Sequence, residues 1–340
     1  MSVEAQVAVA HTTRFRRRLW ALVGGLLLSV ALSLLCGRYP RPYFTLPATL
    51  RENELARSVV LNLRLPRVLA AVMLGMVLSA AGTTFQMIFR NPLVDSGFLG
   101  VSQGAAFGAS LAIVFLGGTA ATVQGCAALF AFLGLAGSYY LAQRLRLGDW
   151  VLRLVMAGIG VSALYASGTG LIKYLADPLK QLPDITFWLL GGLWAITWED
   201  AIQIAPVVAL GLTILFLMRW RLNLLSMRDE TAFSLGAVPD RERMVMLIAA
   251  VATTAAVVSK AGQIGWVGLI MPHIARRLFG ADAQRSLPGA IFLGGAFCLY
   301  CDTVARTLLS GEIPLGILTS MVGALFFFSL LLRGQVSVRR

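Results

Sequence analysis

From Leu19 to Leu332 the sequence repeatedly runs apolar for about the length of a membrane-crossing helix, and no other property constrains the fold as tightly. A spanning helix needs about 20 mainly apolar residues, fewer where protein covers its end. Such runs lie at 19–36, 64–88, 98–117, 120–142, 151–175, 201–219, 243–260, 264–279, 286–309 and 313–332, ten in all. A further apolar piece, DITFWLLGGLWAI at 184–196, is too short to cross. It reads as a re-entrant or interfacial helix, which survives at membrane depth only against protein or a water-filled cavity. The chain is 58% hydrophobic with a mean hydropathy of +0.78, more apolar surface than a soluble core can hide. No linker divides it. The expected architecture is an all-α membrane protein with one transmembrane domain, 19–333, between cytoplasmic tails at 1–18 and 334–340.

Charge then assigns sides. With the N-terminus inside, ten spans place 19 Lys and Arg residues towards the cytoplasm and 10 outside, which together make the 29 in the chain. The positive-inside rule favours that orientation, with both termini cytoplasmic. Arg14, Arg16, Arg17 and Arg18 precede the first run in the manner of a signal peptide. However, Leu35 stands before Cys36 where a lipoprotein cleavage site needs a small residue, so the run reads as an uncleaved first span. The external excess is local: Arg38, Arg41, Arg51, Arg57, Arg64 and Arg67. The net charge of +13 is scattered between apolar runs rather than striped, which fits membrane topology and not nucleic acid.

One cytoplasmic stretch stands apart. Seven of the sixteen residues from Arg228 to Arg243 are charged, against 13% for the whole chain. Asp229 and Glu230 suit the positive end of a short helix, and Gly236 suits its end. Pro239 and Asp240 can start a second short helix joined to the first at Gly236. Phe233 and Leu235 are then available as apolar anchors on a rigid lug.

Catalytic chemistry is not visible. The two histidines are His11, in the tail, and His273, near the end of a span beside Arg276 and Arg277. There is no HExxH, GxSxG or GxxxxGK[ST] motif, so any ATP energy must be supplied by another subunit. Cys298 and Cys301 have redox or metal spacing. Without a second Cys or His pair nearby, they read as small apolar residues on one helix face. Cys36 and Cys126 also sit in or beside apolar runs, which argues against a disulfide framework. Asp302 and Arg306, four apart, form a same-face pair. They serve mutual neutralisation, presentation of Arg306 to an external partner, or both. An ion-driven secondary transporter is the alternative class, and it needs mid-span carboxylates that this chain almost lacks.

Six blocks in order, LRLPRVLAAVMLG, RNPLVDSGFLGVSQGAAFG, ETAFSLGA, GQIGWVGLIMPHIARRLFG, CDTVAR and EIPLGILTSMVGALFFFSLL, resemble the FecCD family. The resemblance covers about residues 60–333. It implies a type II ABC importer permease fold for ferric siderophore, haem or cobalamin in the bacterial inner membrane. The implied partners are two ATPase subunits carrying ATP and Mg²⁺, a periplasmic or lipid-anchored binding protein, and a second permease copy or paralogue. No cofactor and no nucleic acid is implied for this chain. Arg64, Arg67 and Arg306 match the family's binding-protein docking residues. Asn91 and Leu93 match its cytoplasmic gate, with Val151 and Leu152 weaker candidates. Residues 228–243, with Asp229, Glu230, Phe233, Ser234, Leu235 and Gly236, match its ATPase-coupling helices. On this reading, reversing the three arginines to Glu abolishes docking and leaves the fold intact. Gly323-Ala324-Leu325-Phe326-Phe327 lacks the proline usual in the last block, which implies a straighter final helix, and Trp266 stands where Phe is commoner. The spans do not distinguish the cargoes.

Overall fold

The computed structural model describes residues 3–39, 43–95, 97–146, 148–309 and 311–332. The tail at 334–340 and Arg41 lie outside the described residues. Helix α1 (Val3–Leu35) leads into a short antiparallel pair, β1 (Cys36–Gly37) and β2 (Tyr43–Phe44). The stretch read as an N-terminal tail therefore continues α1 back to Val3, and it includes His11. Small helices α2 (Thr49–Glu52) and α3 (Glu54–Ser58) follow, and a π-helical turn at Val59–Arg64 joins α3 to α4 (Leu65–Ile88). Next come α5 (Val101–Phe115), α6 (Ala120–Arg144), α7 (Trp150–Leu175), α8 (Gln181–Leu190) and α9 (Trp198–Leu217). The chain closes with α10 (Arg219–Leu225), α11 (Asp229–Ser234), α12 (Pro239–Ala261), α13 (Val267–Phe279), α14 (Ala283–Thr307) and α15 (Leu315–Leu332).

Each of the ten apolar runs is a helix, but among the described residues seven helical stretches are long and apolar enough to cross a membrane: α1 from Thr13, α3 through α4, α6, α7, α9, α12 and α14. The runs that became α5, α13 and α15 give shorter helices. For α5 and α13 the reason lies in the backbone before them. Leu99 and Gly100 take positive φ ahead of α5, and Gly262 and Trp266 do so ahead of α13. Non-helical backbone at membrane depth must be covered by protein, and Leu99, Ile264 and Val267 are indeed buried. The 184–196 piece behaves similarly, as α8 followed by a tucked turn. There Gly192 N–H donates to the Ala261 carbonyl at 2.7 Å, and Leu193 and Ile196 are buried. α15 runs unbroken through Leu325.

Burial sorts the long helices. In α4, 78% of the apolar window is buried, and α12 and α14 follow at 67% and 61%. α1, α6, α7 and α9 expose most of theirs, the pattern of helices facing lipid. Small residues let the inner helices approach closely, which is the main source of helix association in lipid. A Cβ on Gly75 of α4 would lie 2.0 Å from the Gly294 carbonyl of α14, and Ser79 packs on Gly294 in the next turn. The 24 residues of α4 rise about 36 Å, so α4 separates two ends of the bundle, each with its own polar cluster.

Candidate functional site

At the end where α4 starts, the π-turn and Pro66 bring Arg64 and Arg67 onto the side facing α14. Arg64 is buried and donates to three neutral oxygens: the carbonyls of Leu34 at 3.0 Å and Tyr39 at 2.7 Å, and Thr45 Oγ1 at 3.1 Å. Arg67 donates to Asp302 Oδ1 at 2.8 Å and to both Glu312 oxygens at 2.8 Å. Arg306 donates to the Cys36 carbonyl at 2.7 Å and Ser33 Oγ at 2.8 Å, and its Nε lies 3.4 Å from Asp302 Oδ2. The i,i+4 pair expected in the sequence therefore exists, but Asp302 is shared and its shorter contact is to Arg67. A recess of about 330 Å³ opens beside them, lined by Arg38, Arg64, Arg67, Trp194, Arg306 and Glu312.

The three arginines expected at a docking surface are thus brought together, but each is held inside the bundle by its own hydrogen bonds. The expectation that reversing them to Glu leaves the fold intact fails on this geometry. Carboxylates there would face backbone carbonyls, Asp302 and Glu312, with like charges and acceptors in place of the present ion pairs. Arg38, Arg51 and Arg57, part of the external arginine excess in the sequence but not singled out as docking residues, are exposed. Their exposed setting near Gly, Pro and Asn residues was the available signal.

At the other end, α11 forms the lug. Gly236 has φ +82°, and the helix closes on it with Ala237 N–H to the Ala232 carbonyl at 3.0 Å and Gly236 N–H to the Phe233 carbonyl at 2.9 Å. That left-handed cap satisfies the last carbonyls, and Ala232 and Ala237 bury a small contact with Leu224 beneath it. Arg221 donates to the Gly236 carbonyl at 3.1 Å and pairs with Glu242 at 3.4 Å, fixing the turn from α10. Three apolar residues of the lug face outwards: Phe233 is 70% exposed, and Leu235 and Val238 are each 54% exposed. Glu230 and Ser234 are also exposed, whereas Asp229 turns back to Arg243, donated to at 2.9 Å by Nη1 and also by Nη2. Those bonds from the guanidinium hold the Asp229 carboxyl below the usual carboxylate range. The tie is complete at neutral pH and is lost only as pH falls through that depressed value.

The α4 terminus meets the lug here. Arg90 takes φ +52° as the left-handed cap residue of α4, with Asn91 N–H on the Gln86 carbonyl at 3.1 Å. Asn91 Oδ1 accepts from Leu93 N–H at 2.9 Å, which makes the Asn91–Pro92–Leu93 turn compact, and both residues are exposed. Arg90 lies 3.9 Å from Asp229. A cavity of about 630 Å³ separates the two elements, lined by Arg90, Trp150, Val151, Arg153, Asp229 and Asp240. Val151 faces it, whereas Leu152 is exposed and caps onto Asp149.

Sequence reasoning missed Gln86 and Trp150, and it took in Arg243 only as the last charge of the 228–243 stretch. Gln86 is buried and donates to the carbonyls of Val94, Gly268 and Leu269 at 3.1–3.2 Å, while accepting from Arg276 at 2.6 Å. Its only signal was one amide in an apolar helix. Cys298 and Cys301 lie buried in α14.

A polytopic helical bundle with a basic recess at one end and a braced, outward-facing apolar lug at the other has the layout of a membrane transport subunit. The chain belongs to the FecCD transport family, whose model matches residues 25–333. A relative from Helicobacter pylori, named as an iron chelatin transport system permease protein, is 42% identical over 81% of this chain and 82% of its own. The molybdate import system permease protein of Haemophilus influenzae is 35% identical over 89% of this chain and 91% of its own. A solved structure described as an inward-facing conformation of a metal-chelate type ABC transporter superposes with a TM-score of 0.86. It is 34% identical and covers 94% of this chain and 99% of that one.

Proposed function

We propose that this chain is the permease subunit of an ATP-binding-cassette importer that carries a metal chelate across the bacterial inner membrane, with both termini and α11 on the cytoplasmic side. The observation that carries the reading is the lug, which presents Phe233, Leu235 and Val238 to solvent from a frame locked by Arg221 and Arg243. An exposed apolar trio on a rigid mount suits a permanent protein partner. The sequence has no phosphate-binding loop, so two separate ATPase subunits, with ATP and Mg²⁺, supply the energy there. A second permease copy or a paralogue completes the path.

At the opposite end the recess holds three arginines against two carboxylates, Arg38 lines it too, and Arg51 and Arg57 add exposed positive charge beside Val60 and Leu61. Such a field steers an acidic, periplasmic or lipid-anchored binding protein and fixes its register. Arg64, Arg67 and Arg306 form the floor of that docking site, and the exposed arginines its approach. Asn91 and Leu93 form the cytoplasmic gate. An iron chelate is the favoured cargo, a ferric siderophore before haem or cobalamin, and the kinship with a molybdate permease makes an oxyanion the first competitor.

The double variant Phe233→Asp, Leu235→Asp tests the lug. Both side chains point away from the bundle, so the protein is expected to fold and purify as the wild type does. Co-purification of the ATPase subunits is expected to fall about tenfold or more, as loss of two apolar anchors implies. Undiminished ATPase recruitment and ATP-driven uptake would remove the lug from the mechanism.

A further inference from the structure

We propose that Arg243 is a positioning residue that makes the α11 lug and the Asn91–Leu93 turn move as one body, acting through Trp150. This rests on the transport reading above and adds the residues that carry motion from the lug into the bundle.

Arg243 lies near the start of α12 and is 0% exposed. Arginine is almost never fully buried unless it is paired. One edge of its guanidinium is taken by both oxygens of Asp229, on α11. Its carbon Cζ lies 5.1 Å from the ring centroid of Trp150, the first residue of α7, within cation–π range. The Trp150 ring in turn lies parallel to Phe89, at 6° and 6.5 Å between centroids. Phe89 ends α4 and is held edge-on by Phe85 at 6.1 Å and Phe98 at 5.7 Å. Asn91 follows two residues later. One unbroken series of contacts therefore runs from α11 through α12 and α7 to the end of α4.

A second tie closes the loop. Arg90 reaches Asp229 at 3.9 Å from a left-handed backbone. That cap position ordinarily takes glycine, and a non-glycine residue there carries backbone strain. The contact to Asp229 accounts for a charged side chain at a position where glycine would be easier. Asp229 is thus gripped from both sides, by the start of α12 and by the residue after α4. Close-packed contacts transmit displacement because they have no slack in which to absorb it. Lysine cannot replace Arg243 in this role, since it lacks both the fork for a bidentate carboxylate and the flat face for an indole.

The test uses the whole transporter in proteoliposomes, with its ATPase subunits and binding protein, and reads ATP hydrolysed per cargo molecule imported. Trp150→Leu keeps an apolar filler and removes the ring that links Arg243 to Phe89. ATP per cargo is expected to rise about tenfold in Trp150→Leu and in Arg243→Lys, within the range measured for coupling variants. In Trp150→Leu the ATPase rate itself stays within about twofold of wild type, because the exposed anchors of the lug and the Arg243–Asp229 tie beneath them are untouched. Combining Arg243→Lys with Phe89→Leu is expected to cost less than the product of the single losses, although the two residues share only Trp150. Unchanged ATP per cargo in Trp150→Leu overturns the proposal, as do losses that multiply independently in the double variant. A fall in ATPase activity and uptake together also overturns it, by showing a general structural role. If Arg243→Lys does not fold, Trp150→Leu decides alone. A wild-type chain that recruits no ATPase defeats the transport reading itself, which is a different outcome from a coupled wild type with coupled variants.

Discussion

Gly75→Leu is expected to eliminate the folded bundle, with no monodisperse protein recovered from membranes. The cause is a backbone contact. Even the Cβ of alanine at this position would lie 2.0 Å from the Gly294 carbonyl and 2.9 Å from Cys298 Cβ. Neither neighbour is the flexible end of a side chain, so relief requires α4 and α14 to separate along their length. α4 also packs on α12, α13 and α9, and the Gly82–Gly268 approach on its α13 side is equally tight. Overpacking a well-filled core typically costs about 1–3 kcal/mol. A leucine wedged between two backbones exceeds that range. Gly75→Ala is expected to give reduced yield and a lowered thermal midpoint. Gly160→Ala on α7, where an added Cβ meets nothing within 4 Å, should be recovered at wild-type yield. Equal recovery of Gly75→Leu and Gly160→Ala would show that the α4–α14 contact does not hold the bundle.

The helices were legible because lipid imposes one rule on every spanning segment: its backbone must satisfy itself and its side chains must be apolar. That rule writes each run into the sequence locally. It fails where protein takes over the role of lipid. The turn from α8 and the segment before α13 are non-helical because Gly192 bonds Ala261 and Gly262 turns under Trp188. Those partners lie far away in sequence, and no local pattern announces them. α5 and α13 consequently came out shorter than the apolar runs that encode them.

The sites divided along the same line. Gly236, Pro239 and the acids at 229–230 encode the lug by short-range chemistry, and the structure has a short helix, a cap and a turn there. The expected second short helix is instead the first turn of the 23-residue α12, because nothing after Pro239 breaks the helix before the apolar run. The network behind it is long-range. Arg243 read only as the last charge of the 228–243 stretch, whereas it is fully buried between Asp229 and Trp150. Similarly, Arg64, Arg67 and Arg306 lie together at one end of the bundle, yet their internal partners come from α1, the β1–β2 connection, α14 and Glu312. Engagement depends on tertiary neighbours.

That distinction makes Arg67→Met the second variant of large effect. It removes the 2.8 Å partner of Asp302, a carboxylate with 0% exposure, and leaves it only the 3.4 Å approach of Arg306. Breaking a buried pair from one side costs about 3–5 kcal/mol, because an uncompensated charge stays behind. For a chain of this length that loss lowers the thermal midpoint by roughly 5 °C. Adding Asp302→Asn to Arg67→Met removes the stranded charge and is expected to restore most of the midpoint. Reversal of the exposed Arg38, Arg51 and Arg57 to Glu strands nothing, so the midpoint should stay at the wild-type value while association with the binding protein weakens, most of all at low salt. The two series therefore separate what holds this end of the bundle together from what attracts a partner to it. If Arg67→Met melts with the wild type, the Arg67–Asp302 pair is not structural, and docking becomes the better account of why an arginine is kept there.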